Sequence, residues 1–151
     1  MDNSRIDPWG SDHDTNYDRV SSRFGLDGIN LEDLSNPGML HTRGLIFAHR
    51  DLDVIMHANR RGSPFGVLTG LMPSGKMHLG HTMVIEQAKW YQSLGADVTV
   101  AVADLESLAT RAVPLEKGRQ VALEEYVSNY AAMGLDPEKT SVYFQSSRPE
   151  V

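Results

Sequence analysis

"GLMPSGKMHLGHT", residues 70–82, decides how the rest of the chain is read. Before it, "FGVLTG" (65–70) is a short apolar run bounded by Gly and Pro, which predicts a buried strand. After it, Leu79–Leu94 repeats helically: Val84, Ala88 and Tyr91 fall in one column, with Met83, Trp90 and Leu94 beside it. The stretch is therefore a strand-to-helix turn, and open α/β sheets bind ligands at the carboxyl ends of their strands. Gly70 and Gly75 offer positive φ and close backbone approach. Gly80 leaves room for a flat group at the helix start. The helix N-terminus presents N–H groups and partial positive charge, which favour phosphate. His78 and His81, one turn apart, point to the same side and can each donate to a phosphate oxygen. Lys76 adds a positive charge. Zinc would need a third ligand that no spacing supplies. Neither the G-x-x-x-x-G-K-[ST] pattern nor G-x-G-x-x-G is present. Local chemistry leaves two readings, a turn with solvated or capping histidines and a cradle for nucleotide phosphates.

Working outward, Gly95 is a helix C-cap. "DVTVAVAD" (97–104) is apolar almost throughout, like a parallel strand covered on both faces. Residues 115–134 form a second helix with Ala122, Tyr126, Tyr130 and Met133 on one face, ended by "GLDP". "SVYFQ" (141–145) is a third strand. The order β-α-β-α-β, with crossovers longer than a dozen residues, predicts an α/β fold with right-handed connections. It is half of a doubly wound, parallel, Rossmann-like nucleotide-binding domain, spanning residues 63–151.

Upstream, residues 17–62 predict a small, mainly helical appendage. "YDRVSSRFGL" is a short helix stopped at Gly25, "NPG" (36–38) is a turn, and "RDLDVIMHANRRG" carries Leu52, Ile55 and Met56 at helical spacing. His49 and Arg50 are expected to fix the appendage against the α/β domain. His41 and His57 read as surface or packing residues, and Trp90 as core. Residues 1–16 read as a disordered acidic tail.

Composition excludes several classes. The absence of cysteine removes disulfides and thiolate chemistry. No apolar run is long enough for a membrane span, and the acidic N-terminus has no apolar segment of the secretory kind. The expected location is the cytoplasm, with no membrane partner. Of the net charge of -6, residues 1–40 contribute about -5, eight acids against three bases. No basic stripe is visible, so an RNA partner would be gripped mostly by regions outside this chain.

"PSGKMHLGH" resembles the HIGH signature of class I aminoacyl-tRNA synthetases, here His78-Leu79-Gly80-His81. The Pro-Ser-Gly triplet is similar to the tryptophanyl and tyrosyl branch. "RGLIFAHRDLDVIM" (43–56) resembles the segment before the catalytic domain in archaeal and eukaryotic tryptophanyl-tRNA synthetases, "VAVADLES" (100–107) and "MGLDPEKTSVYFQSS" (133–147) resemble archaeal members, and the similarity runs from about Tyr17 to Val151. The resemblance implies ATP-dependent activation of tryptophan and its transfer to tRNA, in a family whose full-length members are expected to be homodimers. It implies His78 and His81 as catalytic contacts to ATP, with Thr69, Gly70, Ser74, Lys76 and Gly80 shaping the nucleotide site. Magnesium would accompany ATP, with no ligand nameable here. Glu106 matches a glutamate placed near the substrate ammonium, where archaeal tyrosyl relatives tend to have histidine. Asp104 and Gln145 are further candidates for the amino-acid side. Leu68 stands where many members have tyrosine; it can pack on an aromatic ring but cannot hydrogen-bond an indole N–H. The family's KMSKS-type lysine loop, second half-fold and anticodon-binding region do not occur, so the chain is expected to be an N-terminal portion. Alternatives are a tyrosyl-tRNA synthetase portion, a non-catalytic binding module, and another H-x-G-H nucleotidyltransferase.

Overall fold

A computed structural model describes residues 17–150; the acidic segment 1–16, and the expectation about it, lies outside the described residues. In chain order the elements are α1 (Tyr17–Phe24), β1 (Asp27–Gly28), α2 (Met39–Thr42), β2 (Ala48–His49), α3 (Leu52–Arg60), β3 (Gly66–Leu71) and α4 (Leu79–Ser93). They continue with β4 (Asp97–Val102), α5 (Asp104–Arg111), α6 (Leu115–Val121), α7 (Ser128–Ala132) and β5 (Thr140–Phe144). A π-helical turn, Ala122–Val127, joins α6 to α7, so residues 115–132 form one helical run.

Strands β3, β4 and β5 make a parallel sheet in that order, with β4 in the centre. Successive crossovers of one hand, stepping in one direction, leave both connecting helices on the same face. The core lies there: Leu71, Val98, Val100 and Val102 of the sheet meet Ile85 and Ala88 of α4 and Ala122, Tyr126 and Tyr130 of the long helical run. The column of Ala122, Tyr126 and Tyr130 read from the sequence is buried as expected, while Val84 and Met83 of α4 are exposed and Ile85 takes the core position.

The opposite face of the sheet is the departure from expectation. Strand β4 alternates instead of being covered on both sides. The register sets Leu68 beside Thr99 and Ser141, and Gly70 beside Ala101 and Tyr143, in two rows across the open face. Leu68 is 70% exposed, in the middle of a strand. Apart from Leu68 and Tyr143, the two rows consist of small side chains, so this face is shallow.

The β4 apolar run also ends earlier than its composition suggests. Asp104 does not close the strand; it opens α5. After α4, Gly95 sits at φ +100°, and the Ala96 N–H reaches back to the Tyr91 carbonyl at 3.1 Å, which closes the helix as predicted.

In the appendage, β1 and β2 form a two-stranded antiparallel ribbon that no sequence pattern indicated. Leu52 and Met56 of α3 bury against Trp90 of α4, each contributing about 1.5–3 kcal/mol relative to exposure. The Trp90 indole N–H donates to the Asn36 carbonyl at 2.8 Å, and the Asn59 amide donates to the Leu94 carbonyl at 2.8 Å. These contacts, not His49 and Arg50, hold the appendage to α4. His49 Nδ1 instead accepts the Leu52 N–H at 3.2 Å, and Arg50 donates to the Phe24 carbonyl at 2.6 Å, both within the appendage. His41 is buried against Trp90, and His57 is exposed. Among the described residues, no helix is long and apolar enough to cross a membrane.

Candidate nucleotide site at the β3–α4 turn

The turn joining β3 to α4 sits at the carboxyl end of the sheet, and two histidines build its helix start. His78 is the N-cap: its Nδ1 accepts the Gly80 N–H at 3.2 Å, while His81 Nδ1 accepts the His78 N–H at 3.2 Å. This is a reciprocal capping box in which imidazoles take the parts usually played by a hydroxyl and a carboxylate. The rings lie 4.0 Å apart between centroids. Both Nδ1 atoms are acceptors, so the proton of each neutral ring sits on Nε2, and each ring keeps one donor for a ligand.

The capping and phosphate readings are thus compatible, but the source of the donors changes. The N–H groups of Gly80 and His81 are already bonded to His78, the latter to its carbonyl at 2.9 Å. The flat group packed against Gly80 is the His78 ring itself: a Cβ there would lie 3.1 Å from Cε1 and 3.2 Å from Nδ1. Gly70 and Gly75 do not use positive φ; Gly70 is an extended, in-register residue of β3 opposite Ala101.

His81 is half-buried, with the Tyr126 ring set edge-on to it at 5.3 Å and 87°. Burial, and then the neighbouring His78, holds its imidazole below the usual histidine range. At neutral pH it is an uncharged donor. Ser74 and Lys76 are exposed on the same loop. Thr69 faces the helix-covered side of the sheet, whereas Leu68 and Gly70 face the open side.

Pro73 anchors the loop from beneath and is fully buried. Its carbonyl accepts the Ser107 hydroxyl at 3.2 Å, and its ring lies beside Gly118. The Ala103 N–H donates to the Leu71 carbonyl at 2.7 Å. These contacts fix the β3 and β4 exits to each other.

Asp104 is not presented to a ligand. It is 1% exposed; Oδ1 accepts the N–H groups of Leu105 and Ser146 at 3.1 and 3.0 Å, and Oδ2 accepts the Ser146 hydroxyl at 2.5 Å. Arg119 Nε approaches Oδ2 at 3.9 Å, and Nη2 donates to the hydroxyls of Ser146 and Ser147 at 3.2 and 2.7 Å. The guanidinium lies over the Phe144 ring. Asp104 therefore ties the start of α5 to the end of β5. Glu106, in the first turn of α5, is exposed. Gln145 opens the turn after β5 and is half-buried. Arg119, Ser107, Ser146 and Tyr126 were not legible as site-building residues. Only Tyr126 carried a signal, and its helical spacing pointed to core.

Among the described residues, no three His, Asp or Glu groups are arranged to hold a metal. The oxygens of Asp104 are already engaged by the Leu105 and Ser146 N–H groups and the Ser146 hydroxyl.

Comparison with known proteins adds to this geometry. The family model described as tRNA synthetases class I (W and Y) matches residues 60–151. A tryptophan–tRNA ligase of Aeropyrum pernix is 44% identical over 150 residues, covering 95% of this chain and 40% of that protein. One of Thermoplasma acidophilum is 44% identical over 146 residues, covering 97% of this chain and 33% of that protein. The crystal structure of the Aeropyrum pernix tryptophanyl-tRNA synthetase matches with a TM-score of 0.83 at 43% identity, over 95% of this chain and 41% of that one. The Plasmodium falciparum tryptophanyl-tRNA synthetase matches with a TM-score of 0.81 at 26% identity, over 89% of this chain and 39% of that one. The chain spans about two fifths or less of the curated relatives' length.

Proposed function

Since the chain belongs to the class I tRNA synthetases of the W and Y type, we propose that it carries the HIGH-motif half of a tryptophan–tRNA ligase and binds ATP at the β3–α4 turn. The mutually capped pair His78 and His81 is the observation that carries this reading. Two fixed Nε2–H donors stand at a helix N-terminus, at the carboxyl end of a parallel strand. In this reading the tryptophan carboxylate attacks the α-phosphorus of ATP, giving tryptophanyl-adenylate and pyrophosphate, and the tryptophanyl group then passes to tRNA.

Attack at phosphorus asks the protein for alignment and charge stabilisation. His78 and His81 would donate to oxygens of the phosphate chain, and their caps fix both rings before the nucleotide arrives. Each aimed donor contributes about 3–4 kcal/mol when charge develops on its acceptor. Ser74 and Lys76 rim the same loop. Glu106, exposed in the first turn of α5, would meet the substrate ammonium in this reading. The open face supports an aromatic substrate, because Gly70 and Ala101 leave a shallow floor beside the exposed Leu68 on which a flat ring can lie. Residues 17–62 serve as an appendage bracing α4, and residues 63–151 as the catalytic portion. A cytoplasmic, homodimeric full-length enzyme is the corresponding expectation.

The test is a chimera in which residues 17–150 replace the matching segment of the Aeropyrum pernix enzyme. Tryptophan-dependent ATP–pyrophosphate exchange is expected, and His81→Ala should lower it at least a hundredfold. Exchange that persists in His81→Ala, or that prefers tyrosine, overturns the reading.

A further inference from the structure

The π-helical turn Ala122–Val127 is the least regular part of the long helical run, and it faces the nucleotide loop. The wide turn is braced by the Ser128 hydroxyl, which donates to the Leu123 carbonyl five residues back at 2.9 Å. A π-turn widens the helix locally and changes where the following side chains point. Here the displaced turn carries Tyr126, 1% exposed, whose ring meets the His81 imidazole edge-on at 5.3 Å and 87°. Beside that wall, the His81 ring is held by a 3.2 Å bond from the His78 N–H and by the exposed His78 ring 4.0 Å away.

We infer that Tyr126 is a positioning residue: the π-turn sets its ring against His81 and holds the imidazole with Nδ1 on the His78 backbone and Nε2–H toward the ligand. The inference rests on reading His81 as a nucleotide contact, though its primary readout does not. An edge-to-face pair of this kind is directional, so it fixes ring orientation as well as filling space. The titratable groups around His81 are His78 on its own helix and Tyr126 opposite, with Glu125 and Tyr130 next to Tyr126. Burial is the leading cause of the depressed His81 pKa, so removing the wall that buries it should let the pKa rise.

The experiment is histidine NMR on the 15N-labelled 151-residue chain, with His81 assigned from the spectrum of His81→Gln. In the wild type, His81 should show the Nε2–H tautomer, a midpoint below 6.5, and a cross-peak to the Tyr126 ring. Tyr126→Leu should mix the tautomers and move the midpoint toward 6.5. Tyr126→Phe, which keeps the ring, should restore both. Unchanged tautomer and midpoint in a folded Tyr126→Leu overturn the inference. Should that variant not fold, absence of the wild-type cross-peak overturns it and its presence supports it. ATP is titrated in parallel. If ATP leaves His81 unmoved in the wild type, the nucleotide reading falls while the tautomer result still decides the role of Tyr126.

Discussion

Gly80→Ala separates what the helix start needs for stability from what it needs for binding. The added methyl would lie 3.1 Å from His78 Cε1 and 3.2 Å from Nδ1, inside the 3.5–4.0 Å of favourable carbon contact. His78 is exposed, so its ring can swing outward at little steric cost. Doing so breaks the Gly80 N–H bond to Nδ1 and the 4.0 Å stack on His81. Losing an N-cap costs about 1 kcal/mol, and replacing Gly by Ala in a helix returns about 1 kcal/mol. The two nearly cancel, so Tm should stay within about 1 °C of wild type. Ligand contact has no such offset. A hydrogen bond to a charged phosphate contributes about 1.5–3 kcal/mol, so ATP affinity should fall roughly 10- to 100-fold. Circular dichroism melts and an ATP titration of the 151-residue chain measure both. A Tm raised by the full unopposed gain of about 2–4 °C, with ATP affinity unchanged, would refute the reasoning, because it would mean the His78 cap carries neither stability nor binding.

Asp104→Ala removes the buried acceptor of the Ser146 N–H and hydroxyl; unfolding in urea should show a loss of about 2–3 kcal/mol, and a loss below about 1 kcal/mol would contradict the buried tie. Gln92→Leu should cost about 2–3 kcal/mol, because the buried amide bonds the Asp136 N–H at 2.9 Å and the Thr140 hydroxyl at 2.8 Å; urea unfolding again reads it. His41 and His81 both have folded-state pKa values below the ordinary 6.5, chiefly through burial, so the unfolded chain takes up protons first as pH falls. Their contribution is complete above about pH 6.5 and is lost on acidification, and His41→Phe should flatten that part of the stability profile. Tyr130 is pushed up to about 12 by burial and then by Tyr126, so its contribution of about 3 kcal/mol is present below pH 10 and lost as pH rises through 12; Tyr130→Phe should reduce that alkaline loss.

The strands, the two long helices and the turn at 70–82 were readable because each has its own period and punctuation: "FGVLTG", the Leu79–Leu94 repeat, Gly95. Helix α5 was not, because "VAVADLES" runs from strand into helix with no turn residue between, and Asp104 looks the same at a strand end as at a helix start. The open sheet face was missed for a different reason. Val, Ala and Thr in alternation read as uniformly apolar, and only pairing with Gly70 and Leu68 shows which side is bare. At the site, His78 and His81 were legible from spacing, but their mutual caps were not, since histidine seldom fills both parts of a capping box. The contacts of Arg119 with Ser146, Ser107 with Pro73 and Tyr126 with His81 join positions 27 or more residues apart in the chain, beyond any local pattern.

The bond from Trp90 to the Asn36 carbonyl spans 54 residues of chain. During synthesis at about 5–20 residues per second, that separation is about 3–11 seconds. Leu52 and Met56 are themselves made 38 and 34 residues before Trp90, so about 2–8 seconds pass before the indole that covers them exists. The appendage is therefore completed by a helix translated after it, and the order of assembly runs backward along the chain, from α4 to the segment before it.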